Sequence, residues 1–234
     1  MRSYVNLLFI GLLFCLFSCK TDQSDAEKNT DTSKNREVTE DQQFLNSIQS
    51  AHNTKKFDSE AKVKFNVKVN VSDTVFYEGY LTIDTKSKHV RILNSTIDTV
   101  LSANTIDSNH HKILFWIAET YALPFWLKPE NFQKLSVNDT MALSSYRSEL
   151  TNSTFKISTH PMTNIVENLE YKTDISTAPF DQGRLYFDRY ITVNRIPVAM
   201  EWIIKKNRYI KGKVNVSRMS YPKLYKSSFC KNYI

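Results

Sequence analysis

The last third of the chain alternates. Leu185, Phe187, Arg189, Ile191 and Val193 fall on one face of an extended segment. After Asn194-Arg195-Ile196-Pro197, residues Val198, Met200, Trp202 and Ile204 alternate with Ala199, Glu201 and Lys205. After Lys206-Asn207, residues Ile210, Gly212, Val214 and Val216 alternate with Lys211, Lys213 and Asn215. A period of two is the period of a strand with one wet face, and short polar turns between such runs predict an antiparallel meander. The same signal appears earlier, where Ala61, Val63, Phe65, Val67, Val69 and Val71 alternate with lysine and asparagine. Val75 to Asp84 follows, with Tyr77, Leu81 and Ile83 on one face, then a turn over Asp84 to Lys88.

Shorter strands are predicted at His89–Leu93, Ile97–Leu101, Ser136–Leu143, Tyr146–Leu150, Thr154–Thr159 and Asn168–Thr173. Two stretches have helical spacing instead. Thr39-Glu40-Asp41-Gln42 fits a helix start, and Phe44, Leu45, Ile48 and Ala51 then recur three and four apart, giving a helix over about 40–52. Ile113, Leu114, Ile117, Ala118 and Tyr121 mark a second helix, expected to end before Pro124, with Pro124 to Pro129 an aromatic loop. Nine to eleven strands and two helices predict one fold class: mainly β with α, a large curved antiparallel sheet covered by two helices. A sheet this long must curl, and its apolar concave face needs a cover.

The N-terminus reads as an address. Met1 and Arg2 precede an apolar run from Val5 to Phe17, too short to span a bilayer at roughly 20 residues per helix. Ser18 then precedes Cys19, whose thiol would take the lipid of a bacterial lipoprotein anchor. The expected organisation is an export signal over 1–18, a flexible tether over 19–38, a domain over 39–221 and a basic, aromatic tail over 222–234. Lys20 to Glu37 is polar apart from Ala26 and cannot build a core. The expected location is the cell envelope, lipid-anchored at Cys19. Lys20 beside the anchor is compatible with the outer membrane, on its periplasmic face or at the surface.

Much is excluded. Only four glycines occur, none clustered, so neither a phosphate-cradling loop nor a G-x-S-x-G elbow can form. No cofactor is called for. Cys15 lies in the signal and Cys19 is the acylation site, so Cys230 has no partner for an intrachain disulfide. His52, His89, His110, His111 and His160 show no metal-ligand spacing, and His52 reads as a helix C-terminal residue rather than a base. Asp181, Asp188 and Glu201 fall on separate turns or wet faces. The N-x-[ST] triplets at Asn70, Asn94, Asn138, Asn152 and Asn215 read as chance. Net charge is +7, and the acidic residues crowd into the tether, so the remainder is more basic than the whole. Export argues against nucleic acid as the partner; the bland reading of the charge is solubility.

Three segments carry a resemblance: Gln49-Ser50-Ala51-His52, Phe115 to Pro129 with its Ala122-Leu123-Pro124 step, and Asp181-Gln182-Gly183-Arg184-Leu185-Tyr186-Phe187 leading into Arg195-Ile196-Pro197. They resemble an uncharacterised family of Bacteroidota-type lipoproteins with a LolA/LolB-like, lipoprotein-carrier half-barrel, over residues 40 to 221. The resemblance implies a fold and a ligand class, not a reaction. It places Phe115, Trp116, Tyr121, Phe125 and Trp126, with Met200 and Trp202 from the meander, around a ligand cavity or as a plug of core. The first case implies non-catalytic binding of an acyl chain or other apolar ligand, at about 0.8 kcal/mol per buried methylene. The second implies an interaction module with a plugged barrel, its basic strands meeting a partner or an anionic glycan. A third reading is a hydrolase using His52 or carboxylates in the cavity.

Overall fold

A computed structural model describes residues 38–106 and 108–222. The expected signal, Cys19, the tether to residue 37, and the tail beyond residue 222 with Cys230 lie outside the described residues. Eleven strands form one antiparallel sheet: β1 (Lys62–Val71), β2 (Thr74–Asp84), β3 (Val90–Leu93), β4 (Asp98–Leu101), β5 (Phe132–Val137), β6 (Ala142–Arg147), β7 (Thr154–Thr159), β8 (Val166–Lys172), β9 (Gln182–Val193), β10 (Ile196–Lys206) and β11 (Tyr209–Ser220). Their order is β4-β3-β2-β1-β11-β10-β9-β8-β7-β6-β5, so the sheet is unclosed, with β4 and β5 at its edges. Each strand pairs with its sequence neighbour except where β1 joins β11, Val69 facing Val214.

Three helices accompany the sheet: α1 (Glu40–Ala51), α2 (Thr54–Ser59) and α3 (Asn109–Trp126). The third links the two edge strands. Eleven flat strands would span about 48 Å at their usual spacing, whereas an 18-residue helix is about 27 Å long and about 10 Å thick. Yet α3 touches both halves of the sheet. Tyr121 stacks on Phe65 of β1, Trp116 on Tyr171 of β8, and the Tyr146 hydroxyl of β6 donates to the Trp126 carbonyl. The sheet therefore curves around the helix. From Ile113 to Trp126 every residue of α3 is buried, as a helix apolar on all sides requires.

The helix count and one boundary differ from expectation. α2 is a single short turn pair, entered through Asn53 at φ 57°. α3 runs through Pro124 rather than stopping before it. Pro124 cannot donate to the Thr120 carbonyl and its ring crowds that carbonyl, a cost of about 3 kcal/mol. Continuing the helix buries Phe125 and Trp126, worth about 1.5–3 kcal/mol each, so burial wins. The expected start at Thr39 holds: its hydroxyl accepts from the Gln42 amide at 3.2 Å.

Two strand assignments are corrected. Ser136–Leu143 is not one strand; it straddles the β5–β6 turn. There the Asn138 side-chain oxygen accepts from the amides of Thr140 (3.0 Å) and Met141 (2.9 Å) and folds the chain back. Tyr146–Leu150 stops at Arg147, because Ser148 to Ser153 is a loop. In β9 the alternation breaks as well. Arg189 has φ 49°, which flips the strand. Beyond it Ile191 is 46% exposed, while Tyr190 turns inward and its hydroxyl donates to the Val166 carbonyl at 2.6 Å.

Turns do without glycine. Ser72-Asp73 and Asn194-Arg195 both sit at positive φ between directly paired residues, the geometry of two-residue hairpin loops. Among the described residues no glycine has positive φ. Gly183 serves close approach instead: a Cβ there would lie 2.7 Å from the Lys205 carbonyl oxygen and 2.9 Å from the Tyr171 hydroxyl. Gly183→Ala is expected to destabilise the protein by about 1–3 kcal/mol. Arg195→Gly, at φ 67°, is expected to be neutral or stabilising by up to about 1 kcal/mol. Urea denaturation of the two variants checks this, and the opposite order would contradict the assignment.

Candidate functional site

The trough between sheet and helices holds the residues singled out by sequence. Phe115, Trp116, Tyr121, Phe125, Trp126 and Trp202 are all buried in one continuous core, and Met200 packs against it half-buried. Phe125 stacks face to face on Phe57 of α2, with centroids 4.0 Å apart and planes 3° apart. Trp202 meets Phe187 edge-on at 5.6 Å, and its indole N–H donates to the Ala199 carbonyl at 3.1 Å. These pairs add about 0.5–1.5 kcal/mol each beyond area burial.

Packing is incomplete at one place. A crevice lined by His52, Thr120, Phe125, Tyr190, Ala199 and Trp202 encloses about 20 Å³, room for about one water. The Thr120 hydroxyl in its wall has no hydrogen-bond partner, nor do the buried indole nitrogens of Trp116 and Trp126 on the same helix. A buried polar atom without a partner costs about 1–3 kcal/mol, so four on one helix, His110 Nε2 being the fourth, are unusual.

The cover over this region has few polar ties and is held mainly by burial of Leu45, Ile48 and Phe57. The Gln49 amide donates to the Leu127 carbonyl at 3.0 Å, and Asp41 accepts from the Lys134 amide at 2.8 Å. Asn53 donates to the Arg195 carbonyl at 2.8 Å. Lys134 also meets Glu40 at 3.0 Å, a largely exposed pair of little energetic weight.

His52 caps the C-terminal end of α1. Its Nε2 accepts from the Val166 amide at 3.1 Å, and burial holds its pKa down at about 4. The ring is neutral, and its Nε2 lone pair is already engaged. Asp181 is held by Lys206 at 2.7 Å and Glu201 by Arg189 at 2.8 Å. Neither carboxylate shares a site with His52. Among the described residues no three His, Cys, Asp or Glu side chains gather as metal ligands would.

Sequence reasoning passed over Glu119. It is the lone acid in the apolar stretch of α3, which was the available signal, and it is 2% exposed. Both carboxyl oxygens are met by hydroxyls of the β6–β7 loop, Ser148 and Thr151. Ser148 in turn accepts from the Leu150 amide at 3.0 Å, and Thr151 meets Ser153 at 2.7 Å. Burial pushes Glu119 up to about 7, against the opposing pull of those hydroxyls and of Lys88. The Lys88 amine lies over the Trp126 ring, 5.3 Å from its centre.

A second concavity lies on the outer face of the sheet. It measures about 980 Å³ and runs across β5 to β10. Its lining mixes lysine and arginine with aromatic residues, Phe132, Tyr146, Phe155 and Tyr171 among them.

No protein-family model and no curated protein sequence matches the chain. Among the solved structures similar to this chain are three with low identity to it. One is a DUF1329 family protein from Desulfovibrio piger: 8% identity over 75% of this chain and 92% of that one, TM-score 0.43. Another is a LolA superfamily protein from Nitrosomonas europaea: 9% identity over 81% and 99%, TM-score 0.43. The third is an outer membrane lipoprotein-sorting protein domain from Vibrio parahaemolyticus: 8% identity over 78% and 94%, TM-score 0.45. Nothing about ligand or activity passes to this chain at that similarity.

Glu119 sets a pH dependence of stability. Its folded pKa is raised, so the unfolded chain releases this proton from about pH 4.5 and the folded one only near 7. Stability is therefore lost as pH rises through that window, by about 3 kcal/mol in all. Glu119→Gln keeps the shape and removes the proton. It should raise the melting temperature relative to wild type at pH 8 and change it little at pH 4. A difference that stays constant from pH 4 to 8 would contradict the buried carboxyl's role.

Proposed function

We propose that this chain is a lipid-anchored protein of the cell envelope, attached through Cys19, that binds an apolar ligand without catalysis between its sheet and its helices. The ligand class is an acyl chain. The observation that carries this reading is the aromatic crevice beside α3, where packing fails and a buried hydroxyl goes unpaired. At about 20 Å³ it is a starting point rather than a finished cavity. An acyl chain enters by displacing α1 and α2, whose polar ties to the rest are few, and takes over the apolar contacts of Leu45, Ile48 and Phe57. Phe115, Trp116, Tyr121, Phe125, Trp126, Met200 and Trp202 then line its path. Non-catalytic binding fits the engaged lone pair of His52 and the separate locations of Glu119 and Asp181. Kinship to Bacteroidota-type lipoproteins, and an outer-membrane address on either face, belong to the same proposal and rest on the sequence segments named above.

A second reading has a specific observation in its favour. The trough is filled by its own side chains, which suits a plugged interaction module. One measurement separates the two. The chain's three tryptophans, Trp116, Trp126 and Trp202, all stand in the trough, so its intrinsic fluorescence reports on that space. Titration with a brominated stearate should quench it saturably, and Ala199→Phe, which overfills the crevice, should abolish the effect. No quenching, with no lipid found by native mass spectrometry of the gently purified protein, would leave the plugged module. The anchor has its own test: metabolic labelling with a clickable fatty acid should mark wild type and not Cys19→Ala, and equal labelling would refute it.

A further inference from the structure

The outer groove has a pattern that neither solubility nor the trough accounts for. Its floor follows a cross-strand row in which each residue faces the next across a strand boundary: Gln133, Ser145, Lys156, Glu170, Arg184 and Lys205. A parallel row brings Arg147, Thr154, Lys172 and Gln182 into line. The rows run across the strands, so the groove is about 24 Å long from β5 to β10 at the usual strand spacing.

Charge in the groove is unbalanced. Six cationic side chains line it, Arg147, Lys156, Lys172, Arg184, Lys205 and Lys206, against the carboxylates Glu130 and Glu170. Glu170 is shared, 3.7 Å from Lys156 and 3.5 Å from Arg184, both long for an ion pair. Lys206 is paired outside the row with Asp181. Among the described residues Arg147, Lys172 and Lys205 meet no carboxylate; the Lys205 amine lies instead over the Tyr186 ring at 4.6 Å. At the opposite edge of the sheet, by contrast, Arg91 forks onto both oxygens of Asp98. Row neighbours of like sign cost stability and are unfavourable unless something neutralises them.

The remaining lining selects the kind of anion. Ser145, Thr154, Gln133, Gln182, Asn131 and Asn207 offer hydroxyls and amides. The aromatic lining residues Phe132, Tyr146, Phe155 and Tyr171 are almost wholly buried beneath these groups. A groove that is elongated, cationic and hydrogen-bonding, with its aromatic lining residues almost wholly buried, suits a hydroxyl-rich polyanion rather than a fatty chain or a peptide with apolar anchors. We infer that this groove binds an acidic polysaccharide chain, laid across β5 to β10 with its carboxylates on Arg147, Lys156, Lys172, Arg184 and Lys205. The site is separate from the trough and stands whether or not an acyl chain binds there.

The test uses the full chain in detergent, with polygalacturonate as the probe and neutral dextran of similar length as the control. Isothermal titration calorimetry should detect polygalacturonate and not dextran, with affinity falling as salt rises. Lys156→Gln with Lys172→Gln should weaken binding about tenfold. Lys55→Gln with Lys86→Gln removes the same charge from exposed positions outside the groove, and should change binding less than twofold. Melting curves confirm that both double variants fold. Equal weakening by the two pairs, absence of binding, or tighter binding of poly-glutamate than of polygalacturonate would each overturn the assignment.

Discussion

A helix with no polar side fixes this architecture. From Ile113 to Trp126 every position of α3 is buried, so the segment needs apolar partners on all sides at once. One sheet face supplies them only by wrapping around it. Because α3 also links the two edge strands, its insertion and the sheet's curvature are the same event. The β1–β11 pairing closes the two meanders into one surface, and without it neither half could reach the helix from both flanks.

Curvature is written into the strands by left-handed residues. Arg189 in β9 flips the alternation, and Arg218 in β11 has φ 48° beside the register irregularity between β1 and β11. Each converts a straight pleat into a bend where the trough turns. The inner face then packs into aromatic pairs, while the outer face of β5 to β10 carries the basic groove.

Strand existence was legible because period two survives burial of one face: β1, β7, β10 and β11 lie where alternation put them. Turns were partly legible, since Asn194-Arg195 and Lys206-Asn207 announce themselves without glycine. Three features were not. Ser136–Leu143 looks like a strand because the Asn138 turn is made by a side chain. Pro124 looks like a stop because the burial that overrides it belongs to residues after it. Arg189 looks inward-facing because a backbone angle has no periodicity. At the site, the aromatic residues were visible as a cluster, but whether they enclose space depends on packing that no spacing encodes. Glu119 was visible only as an oddity in an apolar run; its partners Ser148 and Thr151 come from a loop about thirty residues away. The outer groove was invisible, because its charges come from five strands and meet only through register.

Amide hydrogen exchange tests the central claim most directly. If α3 is the object around which the sheet folds, its amides from Ile117 to Leu123 should exchange only through global unfolding, as slowly as the central amides of β1 and β11. Those of α1, a cover with few polar ties, should exchange much faster. Exchange in α3 that outpaces the β1–β11 ladder would show the sheet standing without its helix and would contradict the account.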